Sequence, residues 1–297
     1  MLFDRQKQLL MLLSTLGGEA GSLDFQKLLF LYCQDTKVST YEFVPYKYGG
    51  FSFTSYADKR RLIERGMLTN DEHSWSLTKA SRAAAVAPLS IRQRMEQFAR
   101  SHKGLRGDDL VAESYRRYPY YAIHSEMATR VLANDKATLA AIEAARPAKG
   151  KPGLCTIGYE GRSVENYLNH LIQDGVTLLC DVRRNPLSRK YGFSKSTLAK
   201  GCEGVSIRYE HLPELGIASE ARRGLESQED YDVLFAEYER ETLPRQTTSL
   251  TTISHWVAEG HHVALTCFER EAHRCHRHCV AEAMEERFGT CFKPRHL

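Results

Sequence analysis

The sequence predicts an α/β protein in which an N-terminal winged-helix-like and helical domain precedes a three-layer α/β domain with a mainly parallel sheet. In the second half, short apolar runs alternate with segments of helical spacing, which is typical of a parallel sheet. Between the halves, Arg146 to Gly153 contains two prolines, two glycines and no large apolar residue, as linkers do. We therefore predict domains at 1–145 and 154–297, joined by a linker at 146–153.

Apolar residues at helical spacing predict several helices in the first half. Residues 4–16 and Leu23 to Cys33 are amphipathic, Ser55 to Arg65 is a polar helix, and residues 89–144 are helical again. Residues 66–78 alternate apolar and polar positions around a turn, as a small β-hairpin does. Helices followed by a two-stranded wing outline a winged helix, and a small helical domain without a DNA role is the alternative.

The second half is predicted to contain four strands, each separated from the next by helical segments. The predicted strands cover 154–159, 176–182, 205–211 and 262–268. The predicted helices cover 163–173, 195–200, 231–242, 250–258 and 280–288.

Charge is distributed unevenly along the chain. Residues 1–150 have a net charge of +6 and residues 151–297 a net charge of −2. A basic first half predicts a polyanion as partner, and an ordinary solvated surface is the alternative. Arginine mixed with tyrosine suits nucleic acid but also suits helix packing. The candidate nucleic-acid-binding residues are Lys47, Lys59, Arg60, Arg61, Arg116 and Arg117.

Several features bear on the compartment. No apolar run approaches the roughly 20 residues of a membrane helix. The first residues are predicted to form an amphipathic helix rather than a signal peptide. Eight cysteines without a signal peptide favour a reducing cytoplasm, in which they are free thiols or metal ligands.

Polar side chains follow all four predicted strands, and they are densest between Val263 and Cys279. Because the carboxyl ends of parallel strands meet at one edge of a sheet, we expect these groups to converge on one crevice. The candidate catalytic residues are Tyr159, Asp181, Glu269, Cys275 and His276. The candidate phosphate or substrate ligands are Gly158, Arg183, Ser188, Arg189, Cys267 and Arg277.

These residue types suit proton transfer on a phosphate-containing substrate. Asp181 and Glu269 are candidate general bases, and His276 is a candidate acid, base or phosphate donor. Arginine side chains offer planar, permanently charged donors to phosphate or carboxylate. The alternative is a buried ion-pair network that holds the loops, with Asp181 paired to Arg183 and Glu269 paired to Arg277.

The cysteines leave two further interpretations open. Cys275 and Cys279 share a helix face, and with Cys267 and either His273 or His276 they could hold a tetrahedral zinc. A nucleophilic Cys275 at a helix start is the other interpretation. Because the chain has no C-x-x-C pair, we predict no cofactor and keep zinc as the alternative.

Four segments of the second half resemble, in order, the family of domain of unknown function 488. They are TIGYEG at 156–161, DVRRNPLSRKYGFSK at 181–195, YEHLPELG at 209–216 and LTCFEREAHRCHR at 265–277. The resemblance carries over Tyr159, Asp181, Arg183, Pro186, Ser188, Cys267, Glu269, Cys275, His276 and Arg277. His278 and Cys279 lie outside its motifs. It implies no particular reaction.

Residues 20–70 resemble the Panacea family, a winged-helix-like group. The matching segments are FQKLLFLY, YKYGGFSF and LIERGML, and the chain departs from the family at Gly50, where proline is usual. The resemblance implies a role in binding nucleic acid or a protein partner.

These observations predict a DNA-directed enzyme of repair or phage-defence type with a winged-helix DNA grip. It would hydrolyse a glycosidic or phosphoester bond at a damaged or modified base or nucleotide. The alternative is a winged-helix regulator whose Cys/His-rich domain senses a ligand, metal or oxidant. A third hypothesis is an antitoxin-like or defence scaffold, and the sequence leaves open a homo-oligomer or a protein partner.

Overall fold

The protein folds as two compact units, Met1–Arg146 and Pro147–Leu297, in a computed structural model that describes residues 2–84, 87–218, 220–222 and 224–297. Each unit has a hydrophobic core of its own. Among the described residues, no helix is both long enough and apolar enough to cross a membrane.

The first unit is mainly helical. Its second helix buries nine consecutive side chains from Phe25 to Cys33, which form the centre of the core. The third helix begins after Ser52, whose side chain accepts a hydrogen bond from the Ser55 amide. The helices are α1 (Asp4–Thr15), α2 (Ser22–Thr36), α3 (Phe53–Glu64), α4 (Ser81–Ala84), α5 (Leu89–Ser101), α6 (Gly107–Arg117), α7 (Ala128–Val131) and α8 (Lys136–Ala144).

Two small antiparallel sheets complete the first unit. They are formed by β1 (Glu19–Gly21) with β4 (Ser74–Ser76), and by β2 (Val44–Tyr46) with β3 (Gly49–Phe51). The predicted hairpin at 66–78 is reduced to one bridge, Leu68 to Leu77, and β4 pairs with β1. The β2–β3 hairpin was not predicted, because Pro45 and the two glycines interrupt its aromatic pattern. The winged-helix assignment stays a prediction.

The second unit contains a five-stranded, all-parallel sheet, which confirms the predicted architecture. The strand order is β7-β6-β8-β5-β9, and β5, β6 and β8 are buried along their whole length. Strands buried on both faces lie inside a layered α/β fold. The strands are β5 (Gly153–Gly158), β6 (Leu178–Asp181), β7 (Arg208–His211), β8 (His262–Cys267) and β9 (Arg295–His296).

In the described part of this unit, five α-helices connect the strands or follow them. Ser163 and Ser227 cap the first and third of these helices through their side chains. The third continues into a π-helical turn at Tyr238–Thr242. The helices are α9 (Val164–Gln173), α10 (Lys195–Glu203), α11 (Gln228–Glu237), α12 (Thr247–Ala258) and α13 (Arg277–Phe288).

The segment before β5 packs on the second unit. The Gly150 amide donates to the Gly175 carbonyl at 2.9 Å. A Cβ added at Gly150 would lie 2.0 Å from Nδ1 of His262, so only glycine fits this approach. Part of the predicted linker is therefore docked on the sheet domain.

Candidate active site at the carboxyl edge of the sheet

The central strands β5, β6 and β8 end at the same edge of the sheet. Gly158 at the end of β5 is opposite Cys267 at the end of β8, and Asp181 at the end of β6 is opposite Thr266. The loops that follow these strands therefore meet, which is the usual position of a site in an open α/β sheet.

A buried cluster of two thiols and one imidazole lies at this edge, and we call it the Cys–His centre. It consists of Cys267, Cys275 and His276, whose sulfur and nitrogen atoms lie within 4.8 Å of one another. All three side chains are buried. Cys267 is the last residue of β8, and Cys275 and His276 directly precede α13.

Hydrogen bonds fix the orientation of the His276 ring. Nε2 lies 2.9 Å from the carbonyl oxygen of Val182, to which it can only donate. In the neutral ring Nδ1 is then an acceptor, and it lies 2.9 Å from Nη2 of Arg222 and 3.7 Å from Sγ of Cys267. The His276 lone pair is therefore directed at the thiols.

The two thiols of the centre differ in acidity. Burial opposes ionisation of Cys267, but the hydrogen bond from Cys275, the neighbouring His276 ring and the charge of Arg222 lower its pKa well below the ordinary value. Burial raises the pKa of Cys275, and the interaction with the Cys267 sulfur raises it further. Cys267 is therefore the more acidic thiol of the pair, whereas the sequence pointed to Cys275 as the nucleophile.

Glu269 and Arg222 connect this buried centre to solvent. Their side chains are 20% and 28% exposed, and Nη1 of Arg222 lies 3.4 Å from Oε1 of Glu269. Oε2 of Glu269 accepts from the Cys267 thiol at 3.5 Å. Burial raises the pKa of Glu269, and the neighbouring Cys267 sulfur raises it further. Glu269 thus pairs with Arg222, which corrects the predicted ion pair with Arg277.

Arg277 holds the loop that carries Glu269. Its guanidinium is buried and donates to Oγ1 of Thr156 at 3.2 Å and to the carbonyls of Glu269 and Arg270 at 2.5 and 2.8 Å. Gly158 fits against the same loop, because a Cβ there would lie 1.9 Å from the Glu269 carbonyl oxygen. In the structure both residues support this loop, and their predicted roles as phosphate or substrate ligands stay predictions.

Asp181, Arg183 and Tyr159 form a second buried network. Arg183 donates to both carboxylate oxygens of Asp181, from Nε at 2.8 Å and from Nη2 at 2.5 Å, and Tyr209 donates to Oδ2 at 2.6 Å. The Tyr159 hydroxyl accepts from Nη1 of Arg183 at 2.8 Å, and its ring stacks on Phe193. The ion-pair alternative thus describes Asp181 and Arg183, and the catalytic and phosphate-binding roles expected of this network stay predictions.

The model of the family described as "Domain of unknown function DUF488" matches residues 163–284. The match lies in the half of the chain where the sequence motifs placed it, and it includes the Cys–His centre, Glu269 and Arg222. Neither the curated proteins nor the solved structures contain a match to the chain. The Panacea-like resemblance of the first unit stays a prediction.

Arg222 is the residue of the DUF488 region that sequence reasoning missed. It lies in a short 3-10 turn, Glu220–Arg222, far along the chain from every strand end. Its neighbourhood in the sequence has no apolar pattern that would have placed it at the edge of the sheet. In the structure its guanidinium contacts both Glu269 and the His276 ring of the Cys–His centre.

Two of the residues predicted as possible zinc ligands, His273 and Cys279, do not belong to the Cys–His centre. Of the two predicted histidines, His276 joins Cys267 and Cys275, whereas His273 is exposed. Cys279 groups instead with Glu239 and His278. The predicted zinc set is thereby narrowed to three residues.

Two candidate phosphate ligands lie in the loop after β6. Ser188 donates its amide to Oγ of Ser194 at 3.3 Å, and its hydroxyl accepts from the Lys190 amide at 3.1 Å. Arg189 is exposed on the same loop. The hydrogen bonds of Ser188 close this loop, and its expected role as a phosphate donor stays a prediction.

The predicted basic residues of the first unit divide by exposure. Lys59 is buried, donates to the Asp71 carbonyl at 2.8 Å and lies over the Trp75 ring at 5.0 Å. It stabilises the fold, which corrects its assignment to nucleic acid. Arg60 and Arg61, on the same helix, are exposed.

Three other predicted cations face carboxylates. Arg116 lies 2.8 Å from Asp135, and Lys47 lies 3.7 Å from Glu126. Arg117 forms a two-pronged ion pair with Asp35. These pairs reduce the positive charge that the surface offers to a polyanion.

A pocket of about 600 Å³ opens in the first unit. Lys27 is 1% exposed at its wall, and its ammonium donates to the Gly50 carbonyl at 3.3 Å. Burial lowers the pKa of Lys27 to about 7. The other wall residues include Tyr46, Lys47, Tyr48, Phe51 and Tyr56.

Proposed function

We propose that this protein is a hydrolase that acts on nucleic acid or a nucleotide, with its chemistry at Glu269 and the Cys–His centre. One observation carries the proposal: a carboxylate reaches solvent beside a buried thiol, an imidazole and a guanidinium at the carboxyl edge of a parallel sheet. Such convergence of titratable groups is characteristic of catalytic sites.

In this proposal Glu269 is the general base. Its carboxylate takes a proton from a water molecule, and the water oxygen attacks the carbon or phosphorus of the scissile bond. The bond to the leaving group breaks with its electron pair, and Glu269 returns the proton to that group. Arg222, 3.4 Å from Glu269, neutralises the negative charge that develops.

The net charge of the first half of the chain, rather than the geometry of the candidate site, supports nucleic acid as the substrate. The first 150 residues carry a net charge of +6, and Arg60 and Arg61 are exposed on α3. A basic surface attracts the phosphates of nucleic acid without regard to sequence. Pairing a DNA grip with a hydrolytic domain is the arrangement we propose for repair or phage defence.

A panel of defined substrates tests the proposal. It contains duplex and single-stranded DNA with normal or modified bases, RNA and free nucleotides, and products are read by mass spectrometry. We expect wild-type protein to convert at least one substrate with the mass change of water addition. Glu269→Gln should abolish this conversion and the matched exposed variant Glu271→Gln should not. Absence of conversion across the whole panel overturns the proposal.

A redox-responsive regulator is the second candidate, favoured by the pairing of two free thiols in the centre. Cys267 and Cys275 are neighbours with opposite pKa shifts, as an attacking and a resolving cysteine would be. In that case DNA affinity changes when Cys267 and Cys275 are oxidised to a disulfide, and no product forms. Operator footprinting with and without oxidant separates the two candidates.

A further inference from the structure

The Cys–His centre combines the donor atoms of a zinc site. Two thiols and one imidazole nitrogen lie within 4.8 Å of one another, and zinc in proteins is bound mainly by cysteine and histidine. We propose that Cys267, Cys275 and Nδ1 of His276 bind one Zn²⁺, whose fourth position is open beside Glu269.

The distance within the set agrees with a shared metal ion. Zn–S bonds of about 2.3 Å and Zn–N bonds of about 2.0–2.1 Å, at tetrahedral angles, separate sulfur from nitrogen by about 3.6 Å. Sγ of Cys267 lies 3.7 Å from Nδ1 of His276. This pair can therefore bind the ion with almost no movement of the backbone.

The imidazole is already oriented as a metal ligand. Nε2 of His276 donates to the Val182 carbonyl at 2.9 Å, which leaves the Nδ1 lone pair for the ion. A backbone carbonyl in this position is a common second partner of zinc-bound histidine, since it fixes both the tautomer and the ring plane.

Glu269 stands beside this set rather than within it. Its Oε2 lies 3.5 Å from Sγ of Cys267, and its side chain reaches solvent, whereas the three ligands are buried. Three protein ligands and one open position are characteristic of catalytic zinc, while structural sites use four protein ligands. A water molecule at the open position would therefore face the Glu269 carboxylate.

This arrangement deepens the proposed function and, for the role of that water, rests on it. Zinc lowers the pKa of bound water, so Glu269 can take its proton near neutral pH. The resulting hydroxide forms the new bond to the substrate. The bond to the leaving group breaks, and the proton passes from Glu269 to the leaving group.

Arg222 provides a built-in competitor for the ion. Its Nη2 donates to Nδ1 of His276 at 2.9 Å, which is the lone pair that zinc requires. Its side chain is 28% exposed, so the guanidinium can leave the imidazole while keeping its charge solvated. Removing this guanidinium should strengthen zinc binding.

The experiment measures metal on the full chain. Untagged wild-type protein is loaded with Zn²⁺ or Co²⁺, dialysed and assayed by elemental analysis and absorption spectroscopy. We expect about one ion per chain and a thiolate-to-cobalt charge-transfer band. Cys267→Ser and Cys275→Ser should lose most of the metal. Cys279→Ser, which changes an equally buried cysteine in the first turn of α13, and Glu269→Gln should keep it.

Arg222→Ala should bind Zn²⁺ several-fold more tightly than wild type in competition with a chelator. Wild-type protein that takes up no metal, or Co²⁺ without a charge-transfer band, overturns the proposal even if the serine variants do not fold. The outcomes also separate the two proposals. If the protein binds metal but converts no substrate, the zinc site stands and the hydrolase proposal fails. If the protein takes up no metal but converts a substrate, the hydrolase proposal stands and the zinc site fails.

Discussion

Sγ of Cys267 lies 3.7 Å from Nδ1 of His276, although nine positions separate the two residues in the chain. The first ends a buried strand and the second starts a helix, so the loop between them brings Glu269 to the mouth of the centre. The relationship joins a buried thiol, an oriented imidazole and an accessible carboxylate in one place.

The buried ion pair of the second network should govern stability rather than turnover. Arg183→Met leaves the Asp181 carboxylate buried without its partner, and such losses cost about 3–5 kcal/mol. Urea denaturation measures the change in the free energy of unfolding. The exposed pair of Arg208 and Glu210 is the control, and Arg208→Gln should cost about 1 kcal/mol or less. Equal costs for the two variants would contradict this account.

Gly158 should be required for the position of the Glu269 loop. In Gly158→Ala the new Cβ meets the Glu269 carbonyl oxygen at 1.9 Å, so the loop must move. We expect folded protein whose turnover falls by about 100-fold or more, since displacement by about 1 Å misaligns a catalytic group. Gly153→Ala, where the nearest atom is 3.6 Å away, is the matched control on the same strand. Full activity of Gly158→Ala would refute the positioning role.

Lys27 should make the first unit more stable at alkaline pH. Its pKa is lowered from 10.5 to about 7 by burial, so between these values the unfolded chain binds a proton that the folded protein does not. The free energy of unfolding therefore rises with pH across this window, by up to about 1.4 kcal/mol per pH unit, and the gain is lost as pH falls toward 7.

Lys27→Met tests this sign. The variant removes the charge, so its stability should exceed that of wild type near pH 7, and the difference should shrink toward pH 10. Denaturation of both proteins at several pH values measures it, because other titrating groups cancel in the comparison. A difference in stability that does not vary with pH would show that the pKa of Lys27 is not lowered in the folded protein.

Arg60 and Arg61 should contribute to DNA affinity through phosphate. Replacing both with Gln removes two exposed cations, so the slope of log K against log salt should fall by about 0.9 for each lost contact. Titrations of a fluorescent duplex at several salt concentrations measure the slope. Lys59→Met, a buried change on the same helix, should lower stability and leave the slope unaltered. An unchanged slope in the double variant would show that Arg60 and Arg61 of α3 do not contact DNA phosphates.

The parallel sheet could be predicted because its strands are apolar runs, and β5, β6 and β8 are fully buried. β9 could not be predicted, since two residues, Arg295 and His296, carry no periodicity. The β2–β3 hairpin was hidden for a similar reason, because proline and glycine break its alternation.

The sequence predicted the location of the candidate site more successfully than the pairing of its side chains. Parallel strands bring Asp181, Cys267 and Glu269 to one edge, and spacing alone indicates this. Which arginine faces which carboxylate depends on side-chain packing that a linear pattern does not encode. Arg277, which was expected to pair with Glu269, is buried and supports the loop. Arg222 pairs with Glu269 instead.

The most direct test of the central claim measures binding and turnover together on Glu269→Gln, using the substrate found in the panel. If Glu269 is the general base, substrate affinity should stay within about twofold of wild type while turnover falls by about 10²- to 10⁴-fold. If turnover survives the substitution, or if wild-type protein binds nucleic acid but releases no product, the hydrolase account is wrong.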